Sequence, residues 1–153
     1  MEWVLKKFNQ LSLDELYGII QLRLEVFVVE QDCVYQDMDD KDQVAYHLFL
    51  RDGDEIAAVL RILPENVSYD EMAIGRVIVK RSYRGQKLGK TMMKKAMKFI
   101  LNDLCKNKIR LSGQAYLTDF YEGLGFKKVS EEYLEDGIEH YEFLYEVLNL
   151  NFD

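Results

Sequence analysis

One stretch constrains the fold more than any other: Val77-Ile78-Val79, then Lys80-Arg81-Ser82-Tyr83-Arg84-Gly85-Gln86-Lys87, then Leu88-Gly89-Lys90. The β-branched run reads as a strand, the glycines punctuate a turn, and the residues from Leu88 onward carry the clearest helical pattern in the chain. From Leu88 to Leu104 the positions Leu88, Met92, Ala96, Ile100 and Leu104 step by four, with Met93, Met97 and Leu101 thickening the stripe. That spacing predicts one helical face lying on a sheet. A strand, a tight turn and a helix start in immediate succession aim backbone N–H groups and the positive end of a helix dipole at one point. Charge singles out the same place. Between Glu71 and Asp103 there is no acidic residue but nine Lys or Arg; the rest of the chain has 11 Lys or Arg against 27 Asp or Glu, or −16, within a net charge of −7. A reversal of that size implies a multiply charged anionic ligand, and the turn has the form of a pyrophosphate cradle.

A chain of 153 residues with 48% hydrophobic and 12% aromatic content, one proline and nine glycines reads as a single folded domain, residues 1–153, with no linker. Met1-Glu2-Trp3 opens a strand-like segment instead of a signal sequence, and no 18-residue apolar run occurs, so a cytoplasmic protein without membrane association is expected. Cys33 and Cys105 are too few for a disulfide framework and lack metal-ligand spacing, which predicts free thiols and no bound metal. The basic window is too local to track a nucleic-acid backbone.

Along the chain, Trp3 to Phe8 reads as a first strand. Ser12-Leu13-Asp14-Glu15 is a capping box, opening a helix whose Leu13, Leu16, Tyr17, Ile20, Leu24, Phe27 and Val28 are expected to form its buried face. Gln31 to Gln43 is expected to be a polar loop. Ala45 to Arg51 and Glu55 to Leu63 flank Asp52-Gly53-Asp54 and predict an antiparallel hairpin. Strands are expected at Ala73 to Val79 and Ile109 to Ala115, a short helix at Thr118 to Leu124 stopped by Gly125, and closing strands at Phe126 to Val129 and His140 to Leu148 around the turn Glu135-Asp136-Gly137.

This order of elements, with Arg84-Gly85-Gln86-Lys87-Leu88-Gly89 at the main turn, resembles the GNAT superfamily of acetyl-CoA-dependent N-acetyltransferases over nearly the whole chain. Arg84 and Gly89 match the form of that family's turn, and Lys87 stands where its inner glycine usually does. Phe120-Tyr121-Glu122-Gly123-Leu124-Gly125-Phe126 resembles the family's Tyr-x-x-x-Gly-Phe segment. Val26 to Tyr35, then Asp39, Asp42 and His47, then Ile74-Gly75-Arg76-Val77, then Asp136 to His140 look like the ElaA-type branch, with Glu139 where that branch commonly has proline. The resemblance implies an α/β (α+β) fold, a mixed and mostly antiparallel sheet flanked by helices and splayed between its fourth and fifth strands near Val79 and Gln114. It implies acetyl-CoA as cosubstrate and an amine acceptor as partner.

On that resemblance Arg84, Gly85, Gln86, Lys87, Leu88, Gly89 and Lys90 hold the pyrophosphate, the backbone of Val77, Ile78 and Val79 binds the pantetheine arm and the acyl carbonyl, and Tyr121 protonates the departing thiolate. The residues alone favour a packing role for Tyr121 on Phe120 and Phe126, and it is the matched turn upstream that favours the acid. Arg76 and Gln114 are candidates on the acceptor side, Arg76 either anchoring a carboxylate or forming an ion pair with Glu30 or an acidic loop residue. For the base, Glu30 at the end of the first helix and His140 are the candidates, against a solvated helix-end charge and a structural histidine. His47 is expected to face the core. Asp37 to Asp42 lacks the glycine and the closing glutamate of a calcium loop and is expected to be solvated. Cys33 has no basic neighbour in sequence to activate it. The expected function is acetyl transfer to a primary amine by direct transfer. A non-catalytic acyl-CoA-binding module and an acyl-homoserine-lactone synthase-like enzyme are the competing readings, and a homodimer is allowed by the sequence.

Overall fold

A computed structural model describes residues 1–148; the end of the expected domain, including Phe152, lies outside the described residues. β1 (Glu2–Lys7) leads to α1 (Leu13–Leu24), which continues as a π-helical turn (Glu25–Glu30). Then come β2 (Tyr46–Asp52), β3 (Glu55–Leu63), β4 (Met72–Val79), and α2 (Leu88–Lys98) with its own π-helical end (Phe99–Asp103). β5 (Lys108–Gln114), α3 (Thr118–Gly123), β6 (Lys127–Lys128), β7 (Tyr133–Glu135) and β8 (Ile138–Glu146) complete the described chain. The sheet order is β1-β2-β3-β4-β5-β8-β6, with β7 paired to β8. Among the described residues every pair is antiparallel except β4 with β5, which is parallel and joined only at Met72↔Ile109 and Ala73↔Arg110. Beyond those two residues the strands separate, and the edge of β4 from Ile74 to Val79 has no partner on that side among the described residues. The mixed, mostly antiparallel sheet and its splay are as expected. β7 is an addition: Asp136 (φ 51°) and Gly137 (φ 77°) are both left-handed, the signature of a two-residue hairpin turn, so strand pairing begins immediately on either side.

α2 lies on one face of the sheet as its four-residue spacing predicts, with Met92, Met93, Ala96 and Ile100 fully buried against Leu48, Leu60, Ile74 and Leu111. Burial of each Met or Ile side chain is worth about 1.5–3 kcal/mol. α1 packs on the other face, but not with the stripe expected of it. Leu13 is 86% exposed and Tyr17 72% exposed, whereas Glu15, Ile19, Leu22, Arg23 and Val26 are buried. The buried face is rotated roughly 130° from the predicted one, at about 100° per residue. The cause is two paired charges. Glu15 closes the capping box on Ser12 and binds Lys6 and Arg51, and Arg23 is held by aspartates contributed by the loop after α1.

Those aspartates overturn a second expectation. Asp37 and Asp42 are buried, not solvated, because the loop closes a ring of alternating charge. Arg23 donates to Asp37 at 2.7 Å and Asp42 at 2.6 Å; Arg61 donates to Asp42 at 3.1 Å and to both oxygens of Asp39 at 2.8 and 2.6 Å; Arg76 donates to Asp37 at 2.8 Å and to Asp39 at 3.4 Å. Tyr35 adds a hydroxyl bond to Asp37, and His47, buried as expected, lies 2.9 Å from the Asp42 carbonyl through Nε2.

The ring makes stability depend on pH in two stages. Burial alone would raise the Asp39 and Asp42 carboxyls, but Arg61 beside Asp39, and Arg23 and Arg61 beside Asp42, hold both below the ordinary value of 3.8. The unfolded chain therefore binds more protons below about pH 4, and the stability these groups contribute above that is lost as pH falls through their folded values. Burial pushes the His47 imidazole below its ordinary 6.5 against the pull of the Asp42 carbonyl, so the unfolded chain gains that proton first and stability begins to fall below about pH 6.5. Thermal unfolding followed by circular dichroism between about pH 8 and pH 3 is expected to show both declines. His47→Gln, which retains a donor for the Asp42 carbonyl, is expected to remove the upper one. An upper decline of the same size in that variant would contradict the assignment.

Candidate active site

The separated strands β4 and β5 open a cleft of about 1000 Å³. Its first wall is the free edge of β4. Opposite the pairs Val59↔Ile78 and Arg61↔Gly75 the register shifts, leaving one extra residue in β4, and Arg76 there has φ 53°. A bulge of this kind turns a side chain out of alternation. Here it carries Arg76 into the charged ring, where Asp37 and Asp39 occupy Nε and Nη2, so of the two roles left open for Arg76 the ion pair with the acidic loop is the one seen in the geometry.

At the end of β4 the chain enters the basic turn. Gly85 has φ 89° and Lys87 φ 59°. Lys87 is thus the left-handed N-cap of α2, a conformation that glycine adopts freely and that strains a residue bearing Cβ. The N–H groups from Gly85 to Lys90 have no acceptor among the described residues; the first capping bond of α2 is Thr91 N–H to the Lys87 carbonyl at 3.1 Å. Free amides at a helix start beside exposed Lys87 and Lys90 are an arrangement able to accept an anion. Gln86 is exposed there too, Leu88 packs toward the α2 core, and Gly89 faces Val79 and Phe120, to which a Cβ would lie at 3.7 and 3.8 Å. Arg84 is already engaged: Nε donates to the Val79 carbonyl at 2.9 Å and its two terminal nitrogens donate to Glu30 at 2.7 and 3.2 Å. Both oxygens of Glu30, which the π-turn of α1 delivers to the mouth of the cleft, are therefore occupied by a guanidinium.

The second wall is β5 with its neighbours, and strand alternation divides it into two chemistries. Gly113 faces α3. A Cβ there would sit 2.6 Å from Tyr121 Cε2 and 3.1 Å from Phe143 Cε2, so only glycine admits the Tyr121 ring. That ring packs edge-on against Phe120 and Phe126 at centroid distances of 5.2 and 6.2 Å and tilted on Phe143 at 5.1 Å. Burial pushes the Tyr121 phenol well above its ordinary value, and its hydroxyl makes none of the hydrogen bonds found among the described residues. It is a neutral, unengaged donor on the cleft wall.

Ser112 and Gln114 face the other way. Gln114 is paired in register with His140. His140 lies 2.7 Å from the Ile138 carbonyl through Nδ1 and 3.2 Å from Glu135 Oε2 through Nε2, and it stacks on Tyr133 at 6.1 Å. Ser112 Oγ and the Tyr133 hydroxyl share a hydrogen bond, with both Glu135 oxygens 3.5 Å from Ser112 Oγ. Glu135 and Tyr133 escape a search of the sequence for isolated catalytic types. Hairpin register on Asp136-Gly137, which sets Tyr133 opposite His140 and Glu135 opposite Ile138, is the signal that would have found them.

A family model described as an acetyltransferase (GNAT) domain matches residues 9–147, and the chain belongs to that family. Its fold is that of acyltransferases. Among curated proteins, ElaA of Escherichia coli strain K12 is 39% identical over 150 residues, spanning 97% of this chain and 98% of ElaA. The crystal structure of E. coli ElaA superposes with a TM-score of 0.89 at 38% identity, covering 95% of this chain and 99% of the other. An acyl-CoA N-acyltransferase from Pseudomonas aeruginosa gives a TM-score of 0.90 at 38% identity, covering 94% and 98%. A CoA-dependent acyl-homoserine lactone synthase shares the fold alone, with a TM-score of 0.75 at 16% identity over 96% of this chain and 82% of the other. The family implies an acyl-CoA cosubstrate, and among the described residues no helix is long and apolar enough to cross a membrane.

The strained cap generates a test that needs no substrate. Lys87→Gly is expected to stabilise the protein by about 1 kcal/mol, since it relieves left-handed strain worth about 1–2 kcal/mol against the larger entropy of an unfolded glycine. A rise in the urea midpoint at unchanged slope checks it; a fall would show that the lysine side chain stabilises the turn by more than its backbone costs.

Proposed function

We propose that residues 1–153 form one cytoplasmic N-acetyltransferase domain that moves the acetyl group of acetyl-CoA to a primary amine by direct transfer in a ternary complex. The observation that carries this reading is a single cleft running from the free amides of the basic turn, along the unpaired edge of β4, to the neutral hydroxyl of Tyr121. The pyrophosphate sits on the N–H groups of Gly85 to Lys90 with Lys87 and Lys90 beside it. The pantetheine arm completes the strand pairing that β4 lacks, using Val77, Ile78 and Val79, and the thioester lies where β4 and β5 part.

The acceptor approaches across the sheet, past Gln114 and the Arg76 bulge. Its nitrogen attacks the thioester carbonyl, and Tyr121 protonates the sulfur as it leaves. A covalent acyl-enzyme is not needed: among the described residues Cys33 is the only cysteine on the cleft wall, and its thiol is turned to the Asp136 carbonyl at 3.5 Å. Free thiols at Cys33 and Cys105 fit a reducing compartment.

Calorimetric titration with acetyl-CoA and with CoA, together with measurement of thiol release across polyamines, amino acids and short peptides, tests the proposal. Binding with release on one amine class supports it, binding without release on any amine favours a non-catalytic acyl-CoA module, and no binding overturns it. Tyr121→Phe is expected to lower kcat by about 100-fold or more while the affinity for acetyl-CoA stays within about twofold. Unchanged turnover would remove Tyr121 from the acid role and leave it a packing residue.

A further inference from the structure

Glu30, the carboxylate that holds the basic turn to α1, has both oxygens taken by Arg84, and proton transfer to it would cost one of those bonds. A different carboxylate faces the acceptor half of the cleft with a free side. We propose that Glu135, positioned by His140 and Ser112, receives the acceptor as its ammonium ion and takes the proton that must leave before attack. This rests on the acyl-transfer reading of the same cleft.

Three features of the geometry carry it. First, Glu135 lines the cleft and its side chain is half exposed, while His140 behind it is 8% exposed, so the carboxylate is fixed on one side and open on the other. Second, the pair is built to hold a proton. The Ile138 carbonyl at 2.7 Å assigns a hydrogen to His140 Nδ1. A neutral ring then turns a lone pair on Glu135 across 3.2 Å, and that contact becomes a hydrogen bond only when a further proton lies between them. Without the shared proton the pair is a base whose vacancy lies between His140 Nε2 and Glu135 Oε2, reached from the cleft through the open side of the carboxylate.

Third, Ser112 and Gly113 are consecutive residues of β5 and point to opposite faces. Ser112 lies against Glu135 and Tyr133, and Gly113 against Tyr121. Acid and base therefore stand on opposite faces of β5, so the amine can lose its proton on one face while the thiolate gains one on the other.

The protons balance. The ammonium gives one proton to the Glu135–His140 pair, which passes it to water at the exposed side of Glu135. The nitrogen lone pair forms the N–C bond; the C–S bond breaks with its electrons on sulfur, which takes the Tyr121 proton. The second nitrogen proton, shed by the cationic adduct, restores Tyr121 through solvent, leaving one N–H in the amide. Acyl-CoA and ammonium become amide, CoA thiol and one released proton.

The charged and titratable groups facing Glu135 are His140 and Glu142 from β8, Tyr133 from β7 and Tyr69 from the segment before β4, and Cys33 borders its turn across the rim. Arg110 on β5 is occupied by Glu71 and Glu142. Burial, then Tyr133, Glu142 and Glu135, pushes the Tyr69 phenol up to about 12, so it stays neutral beside Glu135.

The test is thiol release by the full chain with acetyl-CoA and the amine panel, as a function of pH, for the wild type and for Glu135→Gln, Glu135→Asp and Glu30→Gln. Glu135→Gln is expected to lower kcat/KM for the amine by about 100-fold or more, leave KM for acetyl-CoA unchanged, and make the residual rate climb more steeply with pH, since only amine already neutral in solution can then react; Glu135→Asp restores part of the lost rate. A Glu135→Gln rate within about threefold of wild type with the same pH profile overturns the inference, as does a larger loss in Glu30→Gln accompanied by the steeper pH dependence. If the wild type releases no thiol on any amine, the catalytic reading fails on its own account. NMR titration of the CoA-bound protein with n-butylammonium chloride then decides: shifts at Ser112, Glu135 and His140 that Glu135→Gln eliminates support the ammonium site, and their absence in the wild type overturns it.

Discussion

The closed ring Arg23–Asp37–Arg76–Asp39–Arg61–Asp42 is the constraint on which the site depends. It joins α1, the loop after it, β3 and β4, with three cations and three anions in alternation. Its value is not a simple gain in free energy, since desolvating each ion costs several kcal/mol and an apolar cluster of equal volume is often as stable. What the ring adds is selectivity. Each member compensates two neighbours, so any other conformation of the loop strands buried charges, at a cost of about 3–5 kcal/mol for a broken pair. A polar loop that would otherwise sample many conformations becomes one wall of the cleft. The left-handed Arg76 belongs to the same constraint: a strained, bulged residue persists where its surroundings over-determine it, and two aspartates do so here.

On the opposite wall a steric requirement plays the corresponding part. Parallel β4 and β5 pair over two residues, then part, and what keeps them apart is side-chain volume as much as the bulge. Gly113 lets Tyr121 lie against the strand, and Phe126 and Phe143 fix the ring's other faces. The hydroxyl is thereby held at the end of a rigid aromatic stack, with its neutral form enforced by burial. Had β4 and β5 zipped to their ends, the pairing gained would have occupied the free backbone groups of β4 and closed the cleft.

The sequence made legible whatever is decided locally. α2, the β2–β3 hairpin, the basic turn and the Gly125 stop come from spacing and turn chemistry within a dozen residues. The buried face of α1 did not, because choosing it requires knowing that Glu15 will meet Arg51, 36 residues away, and that Arg23 will meet Asp37 and Asp42. Apolar periodicity alone prefers Leu13, Tyr17 and Leu24, and two satisfied charges outweigh it. The same blindness made Asp37 to Asp42 look solvated, since acidic loop residues are solvated unless arginines from distant strands arrive. The free amides of the basic turn were readable because a glycine-punctuated turn into a helix leaves them unpaired whatever lies elsewhere in the chain. The Glu135–His140 contact was not, because Glu135 in a turn is an ordinary turn residue until the hairpin register brings it to His140.

Arg84 couples the basic turn to the charged loop. Its guanidinium clamps the end of β4 through the Val79 carbonyl and the end of α1 through Glu30. A pyrophosphate on the adjoining amides, as proposed, would compete with Glu30 for the same planar fork of donors, and phosphate oxygens match that fork at least as well as a carboxylate. If the phosphate takes it, Arg84 keeps a compensating anion while Glu30 loses its compensating cation. Glu30 immediately precedes Gln31, where the loop that carries the charged ring begins. The ring resists displacement at Asp37 and beyond, so any adjustment must be absorbed between Gln31 and Gln36, the segment whose Cys33 meets Asp136 across the cleft. Donor binding at the turn would therefore be felt first at the rim over Glu135, through six residues bounded by an ion pair on one side and a closed ring on the other.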